Sequence, residues 1–334
     1  MSWNSIHGHA ANLDQLKVAF QRGRLAHAYL FVGPSGTGKK KFAFELAKAL
    51  LCERPMGVLN ACGTCPACKQ FEVGSHPDFF YARKPDDKSE LNIETVRTFA
   101  ENLGTKAARG GRKIGILDDA DSINDTSANF LLKTLEEPPA GTLLILIATT
   151  EESQLPTILS RCQKVRFQPL APADLLKVLE ELELGPAEHL AKLASLGGGT
   201  VEQAMALDSE GVLAFREAMV KGLADARPDT VGLAGRWIAF VAEAGKEAKA
   251  RRPRALAVIR LLMDFLRSAM AASLGETVAE PNAERLKAHA DADTIAEMLE
   301  HCDEAYGNIE AYVQVELVIE QLMDRLTVRP AKIR

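Results

Sequence analysis

The sequence has few aromatic residues, no excess of positive charge and no long apolar run, and each absence excludes a class of protein. Aromatic residues make up 6% of the 334 residues, too few for a long platform on which nucleic-acid bases stack. The net charge of −5 argues against a surface that binds phosphate backbones throughout, so any DNA contact is local or shared with a partner. The longest apolar runs, such as residues 143–148, fall far short of the roughly 20 residues that span a bilayer.

The sequence begins without a basic segment followed by an apolar one, so it shows no secretory signal. We therefore expect a cytoplasmic protein with no membrane contact. Hydrophobic residues at 47% and charged residues at 25% are typical of a globular protein. A chain of this length has room for about two or three domains.

Between residues 28 and 168, short β-rich runs alternate with stretches of helical periodicity. Residues 143–147 are apolar at every position, as in a strand covered by helices on both faces. Strands are predicted at 28–32, 78–82, 113–117, 143–149 and 164–167, and helices at 38–51, 92–103, 124–136 and 154–160. This alternation predicts an α/β domain with a parallel sheet over residues 1–168.

After residue 168 the strand signals stop and the sequence is helical. Breaks rich in glycine and proline separate predicted helices at 173–183, 186–196 and 200–207, which indicates a small helical domain over residues 169–207. Longer helices with apolar faces follow and predict an all-α bundle over residues 208–334. A basic run in this region is interpreted as a solvated approach to a helix, with DNA contact as the alternative. It consists of Lys246, Lys249, Arg251, Arg252 and Arg254.

A glycine-rich loop follows the first predicted strand and leads into a helix. Gly33, Gly36 and Gly38 let backbone N–H groups turn toward a phosphate, and Lys39 can reach the outer phosphates. The next residue should be Ser or Thr, whose hydroxyl binds Mg²⁺, but it is Lys40, and an ammonium group cannot bind a cation. The loop predicts a nucleotide-binding ancestry and leaves open whether ATP and Mg²⁺ still bind.

Two acidic residues end the third predicted strand. Asp118 would orient the metal through water at the carboxyl end of the strand, where α/β sheets bind their ligands. The following position usually holds Glu, which activates the attacking water, and Asp119 is one methylene shorter. The alternative is that both acids only form a turn.

Four of the six cysteines cluster directly after the loop-bearing helix, at Cys52, Cys62, Cys65 and Cys68. In a reducing compartment such a cluster indicates metal binding rather than disulfides. Four thiolates satisfy tetrahedral Zn²⁺ and leave no position for water, so the spacing predicts a structural zinc knuckle over residues 52–68. An iron–sulfur cluster is the alternative. His27 and His76 are predicted to be structural, because the thiolates already complete the zinc shell.

The α/β region ends shortly after a Ser-Arg-Cys segment at residues 160–162. Arg161 can pair with a carboxylate of its own chain, or it can reach a neighbouring subunit and stabilise the γ-phosphate as charge develops. Taken alone, the arginine favours the ion pair.

Several of these segments together resemble bacterial clamp-loader subunits, the AAA+ proteins of the DNA polymerase III holoenzyme. The resemblance rests on residues 27–31 (His-Ala-Tyr-Leu-Phe), the four-cysteine insertion, residues 76–78 (His-Pro-Asp), residues 131–139 (Leu-Leu-Lys-Thr-Leu-Glu-Glu-Pro-Pro) and residues 160–162. It is strong over the α/β region and weaker over residues 308–322. The delta-prime branch is nearest, and the gamma/tau ATPase branch is its sister.

The resemblance implies a RecA-like AAA+ P-loop domain with a zinc-knuckle insertion, a helical lid and an all-α collar that joins a ring of subunits. It implies that Thr149 senses the γ-phosphate, or else is a strand-end hydroxyl without that role. Relative to the gamma/tau pattern, Lys40 and Asp119 weaken hydrolysis, and so does Glu202, which aligns with the arginine of the lid. Arg161 is retained, which implies a subunit that completes the ATP site of a neighbour.

The implied partners are the gamma/tau and delta subunits and, through the complex, the sliding clamp and primer–template DNA. Two other functions stay open. A gamma/tau-type ATPase would bind and hydrolyse ATP itself through Gly36, Gly38, Lys39 and Asp118. A zinc-dependent nucleic-acid binder would rest on the four cysteines alone, against the acidic charge balance.

Overall fold

The structure, a computed structural model, describes residues 3–85, 90–109, 111–208, 211–245, 248–278 and 280–326. The chain divides into two compact units. Unit 1 comprises Met1–Ala194 and Gly198–Glu202, and unit 2 comprises Ser195–Gly197 and Gln203–Arg334. The three-domain division at residues 168 and 207 stays a prediction.

Unit 1 is built around a parallel sheet. Its five strands are β1 (Ala28–Val32), β2 (Phe79–Ala82), β3 (Lys113–Leu117), β4 (Thr142–Ala148) and β5 (Gln163–Arg166). They pair in parallel in the order β2-β3-β4-β1-β5. Every residue of β1, β3 and β4 is buried, because helices cover both faces of the sheet. The predicted α/β fold is confirmed, and each strand bound lies within one residue of its prediction.

Helices form two layers around this sheet. They are α1 (Ala10–Gln21), α2 (Lys39–Leu51), α3 (Pro66–Glu72), α4 (Ile93–Leu103), α5 (Asp125–Glu136) and α6 (Pro156–Leu159). The helix α7 (Pro172–Glu181) follows β5 along the chain. Successive residues of β1 face opposite layers: Phe31 packs with α1 and α2, and Leu30 packs with α4 and α5. The Asn92 and Asn124 side chains cap the first turns of α4 and α5. The sequence did not predict α1 or α3.

The remaining elements of the described chain are helices. They are α8 (Ala187–Leu196), α9 (Val201–Asp208), α10 (Val212–Leu223), α11 (Thr230–Ala242), α12 (Ala248–Ser273), α13 (Pro281–Lys287), α14 (Ala292–Glu310) and α15 (Val315–Arg325). In unit 2, α12 packs against every helix from α10 to α15, so its buried side chains hold the bundle together. No helix in the described part of the chain is long and apolar enough to cross a membrane.

The basic run at the start of α12 binds other parts of this bundle. Arg251 pairs with Glu316 at 2.7 Å, and Arg252 donates to the Ile309 carbonyl at 2.7 Å. Lys246 lies outside the described residues. These two arginines therefore connect α12 to α15 and α14. The interpretation of the run as a solvated approach to a helix did not predict these contacts.

Candidate functional site

The glycine-rich loop between β1 and α2 is packed against other backbone at two of its glycines. A Cβ atom on Gly33, whose φ is +155°, would lie 2.1 Å from the Phe167 carbonyl oxygen. A Cβ on Gly36, with φ +75°, would lie 2.7 Å from the Glu202 nitrogen. The Val201 N–H also donates to the Gly36 carbonyl at 3.0 Å. These two glycines are therefore required by close packing within unit 1, whether or not a phosphate binds.

The Lys39 ammonium is bound by its own loop. Only 6% of this residue is exposed, and its Nζ donates to the carbonyl oxygens of Gly33 and Pro34, the latter at 2.7 Å. Burial lowers the pKa of Lys39, and the carboxylates of Asp121, Asp118 and Glu202 oppose that shift. In this structure the Lys39 ammonium therefore binds carbonyl oxygens of its own loop, and its predicted contact with a phosphate stays a prediction.

Lys40 is paired with the carboxylate that was predicted to orient a metal. Its Nζ lies 3.6 Å from Asp118 Oδ2 and 4.7 Å from the centre of the Tyr81 ring. The Tyr81 hydroxyl donates to the same carboxylate oxygen at 3.0 Å. The ammonium therefore supplies a positive charge at Asp118 but no ligand atom. These residues do not fit Mg²⁺ with a nucleotide, because the metal would stand beside a cation and lack its hydroxyl ligand.

The other two residues predicted at this end of the sheet are held by backbone geometry. Asp119 has a left-handed backbone, with φ +55°, and burial and the neighbouring Asp118 raise its pKa. The Thr149 N–H donates to Asp121 Oδ2 at 2.8 Å, and Asp121 also accepts from the Ser153 hydroxyl. Sequence reasoning missed Asp121, although it is the third acid within four residues after β3. It fixes the turn that follows β4.

The four clustered cysteines come together as predicted. Their Sγ atoms all lie within 4.8 Å of one another, and Cys52 Sγ is 3.6 Å from Cys62 Sγ and 3.9 Å from Cys65 Sγ. Ligands about 2.3 Å from a tetrahedral zinc ion lie about 3.8 Å apart, so these spacings fit such a metal. The four thiols can therefore hold a metal ion.

Local backbone structure explains how the cysteines meet. Cys52 directly follows α2 as its C-cap, and Cys65 is the N-cap of α3, with its Sγ accepting from the Cys68 N–H. The Cys62 N–H donates to Cys52 Sγ, and the Cys65 N–H donates to Cys62 Sγ, each at 3.3 Å. Backbone N–H groups of Thr64 and Cys65 lower the pKa of the Cys62 thiol, which favours the thiolate that binds metal.

The two histidines near these motifs have structural partners. His76 Nδ1 accepts from the Asp78 N–H at 3.1 Å, and burial lowers the pKa of His76. His27 Nε2 lies 3.0 Å from the Leu135 carbonyl oxygen, so this nitrogen donates. Neither histidine belongs to the group of potential metal ligands found among the described residues.

Arg161 forms an ion pair with a carboxylate of its own chain, which was one of the two roles considered from the sequence. Its Nη2 lies 2.8 Å from Glu136 Oε1, and its Nη1 donates to the Thr157 carbonyl at 3.0 Å. The next residue, Cys162, is buried in the apolar core, and burial raises the pKa of its thiol to about 12. This anchor directs Arg161 outward, where 34% of its side chain stays exposed. Sequence reasoning did not identify Glu136 as its partner.

Comparisons with known proteins cover most of the chain. Residues 8–171 match a family model described as DNA polymerase III, delta subunit. A DNA polymerase III subunit delta' from Pseudomonas aeruginosa is 39% identical over 60% of this chain and 62% of its own length, which is less than two thirds. The subunit delta' of Escherichia coli is 33% identical over 77% of this chain and 74% of its own. The E. coli subunit tau is 35% identical over 60% of this chain and 31% of its own.

The solved structure of a DNA polymerase III gamma subunit-related protein from Thermotoga maritima shares the fold. It covers 95% of this chain and 99% of its own, with a TM-score of 0.50 and 18% identity. That likeness and the parallel five-stranded sheet agree with the predicted AAA+ fold. Since the E. coli relative matches across more than two thirds of both sequences, the chain belongs to the delta-prime family of DNA polymerase III subunits.

Proposed function

We propose that this chain is a subunit of the DNA polymerase III clamp loader and supplies Arg161 to the ATP site of a neighbouring gamma/tau subunit. Its partners are then the gamma/tau and delta subunits and, through the complex, the sliding clamp and primer–template DNA. The observation that carries the proposal is a contrast within unit 1. The loop cation Lys39 is 6% exposed and bound by its own loop, whereas Arg161 keeps about a third of its side chain exposed.

The state of the loop supports a subunit without turnover of its own. Hydrolysis needs a metal held by the loop hydroxyl and the strand-end carboxylate, and a lysine free to contact the outer phosphates. Here Lys40 is paired with Asp118, and Lys39 is bound to two loop carbonyls. Glu202, beside Gly36, adds a negative charge where a triphosphate would need a positive one. We expect weak or no ATPase activity from the isolated chain.

The test of the proposal is a clamp loader reconstituted with Arg161→Ala. An arginine finger contributes about 10³-fold or more to the rate of the site that it serves. We therefore expect DNA-stimulated ATP hydrolysis and clamp loading to fall sharply while the complex still assembles. Arg166→Ala, which removes an exposed arginine of the same region paired with Glu151 at 2.9 Å, is the matched control. Unchanged hydrolysis and loading with Arg161→Ala would refute the proposal.

The second candidate is a gamma/tau-type ATPase that binds and hydrolyses ATP itself. Its support is the similarity to subunit tau and the presence of Gly36, Gly38, Lys39 and Asp118 in a loop, strand and helix of the expected order. Mg²⁺-dependent hydrolysis by the isolated chain distinguishes the two. Steady turnover that Lys39→Ala abolishes would favour this candidate over a subunit that only completes its neighbour's site.

For the cysteine cluster we propose Zn²⁺ in a structural role. The four thiols leave no ligand position for water or substrate, so the metal would brace residues 52–68 and take no part in catalysis. Elemental analysis of protein purified without added metal is expected to give about one zinc per chain. Iron with acid-labile sulfide would support the iron–sulfur alternative, and substoichiometric metal of either kind would contradict a structural site.

A further inference from the structure

Three segments that carry the family resemblance meet at one corner of unit 1. His27 precedes β1, Glu136 ends α5, and Arg161 follows α6. His27 Nε2 donates to the carbonyl of Leu135 at 3.0 Å, and the adjacent Glu136 carboxylate lies 2.8 Å from Arg161 Nη2. A continuous chain of contacts therefore runs from the residue before β1, through the end of α5, to the arginine.

A contribution to the stability of the fold does not explain the presence of a glutamate at position 136. A carboxylate in the last turn of a helix faces the negative end of the helix dipole, which disfavours it. The Glu136 side chain is also 52% exposed, and an exposed ion pair contributes little to folding. The remaining effect of the contact is on the arginine, whose orientation it fixes.

The contacts of Arg161 leave part of its guanidinium group available. Its two Nη1 hydrogens serve the Thr157 carbonyl at 3.0 Å and the Ser160 hydroxyl at 3.2 Å. The Glu136 carboxylate oxygen lies 2.8 Å from Nη2. Among the described residues, no contact takes the Nε hydrogen, so this donor can bind a phosphate oxygen.

We propose that Glu136 is a positioning residue for Arg161, and that His27 fixes Glu136 by holding the Leu135 carbonyl. This inference rests on the proposed function, because it concerns how the arginine acts on a neighbouring subunit. A guanidinium fixed before the partner arrives loses less conformational freedom when it meets the phosphate. The pair with Glu136 is made at Nη2 and not at Nε, so it can stay in place during that contact.

The experiment compares four clamp loaders, reconstituted with Glu136→Ala, Glu136→Gln, Arg161→Ala and the double variant Glu136→Ala/Arg161→Ala. Misplacing a catalytic group costs about tenfold to a hundredfold in rate, so we expect Glu136→Ala to lower kcat of the DNA-stimulated ATPase by about tenfold. The KM for ATP should not change, because the neighbouring subunit binds the nucleotide. Glu136→Gln keeps an oxygen acceptor and should recover part of the rate.

The double variant separates positioning from a structural role. If Glu136 acts only through Arg161, then Glu136→Ala has no further effect once Arg161 is alanine. Glu137→Gln, an equal charge change at the next residue, is the control and should keep the full rate.

The possible outcomes are distinct. An Arg161→Ala loader with full activity would overturn the proposed function, and this inference with it. A large loss with Arg161→Ala but none with Glu136→Ala would overturn the positioning role alone. A further loss in the double variant, or a loader that fails to assemble with Glu136→Ala, would also overturn it, because Glu136 would then act on the fold or on assembly.

Discussion

The glycine-rich loop and the corner that holds Arg161 both belong to unit 1. The loop buries its cation, whereas the corner leaves its cation partly exposed. In the loop, packing surrounds Lys39 and two carbonyl oxygens of its own chain accept from the ammonium. At the other corner, the groups that hold Arg161 contact its two terminal nitrogens, and 34% of the side chain stays exposed. The loop cation is buried within its own chain, whereas the guanidinium stays partly exposed to solvent.

The contrast shows that glycines of a nucleotide-binding motif can be required by the fold itself. Gly33 and Gly36 are needed because backbone from residues 167 and 202 approaches them closely. Such packing requires glycine even where no phosphate binds. Substitutions in the loop should therefore affect stability, and substitutions at Arg161 should affect only the activity of the complex.

The largest effect on stability is expected from Gly33→Ala. The new methyl group would lie 2.1 Å from the Phe167 carbonyl oxygen, so the backbone must move, and we expect the free energy of unfolding of unit 1 to fall by about 3 kcal/mol. Fluorine NMR of protein labelled with 5-fluorotryptophan can measure this during urea unfolding. Trp3 lies in unit 1 and Trp237 in unit 2, so each unit gives its own signal.

Gly38→Ala is the matched control for that substitution. Gly38 also has a left-handed backbone, with φ +93°, but a Cβ there would meet nothing within 4 Å. Backbone strain alone costs about 1–2 kcal/mol. Equal losses for the two variants would show that the close approach of Phe167 does not determine the need for glycine, and the structural role of the loop would lose its main support.

The next largest effect is the dependence of the free energy of unfolding on pH, which comes from Lys39. Burial lowers its pKa in the folded chain below the ordinary value of 10.5, so between these two values the unfolded chain holds a proton that the folded chain has released. The free energy of unfolding therefore rises with pH in this window, by about 1.4 kcal/mol for each unit of pKa difference. Below the window, the charged amine carries its full desolvation cost.

Lys39→Met should abolish this rise. The variant also leaves two buried carbonyls without their donor, which costs about 1–3 kcal/mol near neutral pH. We therefore expect the native chain to be more stable at pH 7, and its advantage to grow as the pH approaches 10.5. Urea unfolding followed by the Trp3 fluorine signal measures the difference. An advantage that stays constant or shrinks with pH would mean that the ammonium is not desolvated.

Periodicity explains how much of the fold could be predicted. The strands β1, β3 and β4 are buried on both faces, so mostly apolar runs predicted their bounds within one residue. The helix α1 was missed because its pattern is weak: Leu16 is buried, but the nearby Val18 is 44% exposed. The helix α3 spans seven residues, too few for a helical period to repeat.

The sequence was sufficient to predict which residues form the candidate site, but not which groups those residues contact. Cysteine spacing was sufficient for the metal cluster, because a short segment brings the ligands together. The partners of Lys39 are carbonyl oxygens, which every residue has, so no sequence signal marks them. Glu136 and Arg161 meet only through the packing of α5 and α6. One sequence signal for this pair was available. Glu136 ends a predicted helix, where a carboxylate is unfavourable unless a cation lies nearby.

Lys40→Thr tests whether the loop lacks only the metal ligand. The pair with Asp118 is 3.6 Å long, and Lys40 is 47% exposed, so its loss should change stability by less than about 1 kcal/mol. We expect Mg²⁺ to leave ATP binding by the native chain unchanged and to strengthen binding by the variant, as titration calorimetry would measure. Lys41→Thr, which removes the adjacent exposed lysine, is the control. Equal Mg²⁺ dependence in all three proteins would contradict the assigned role of Lys40.

The smallest effect on stability is expected from Arg161→Ala. Its partner Glu136 is half exposed, and such pairs contribute about 0–1 kcal/mol because water and salt screen them. The Trp3 fluorine signal should therefore report an unfolding transition within about 1 kcal/mol of the native one. A loss as large as that of Lys39→Met would make Arg161 a structural residue, and the contrast between the two corners would fail. A nearly unchanged transition, together with a clamp loader that no longer hydrolyses ATP efficiently, would mean that this side chain is retained for a partner.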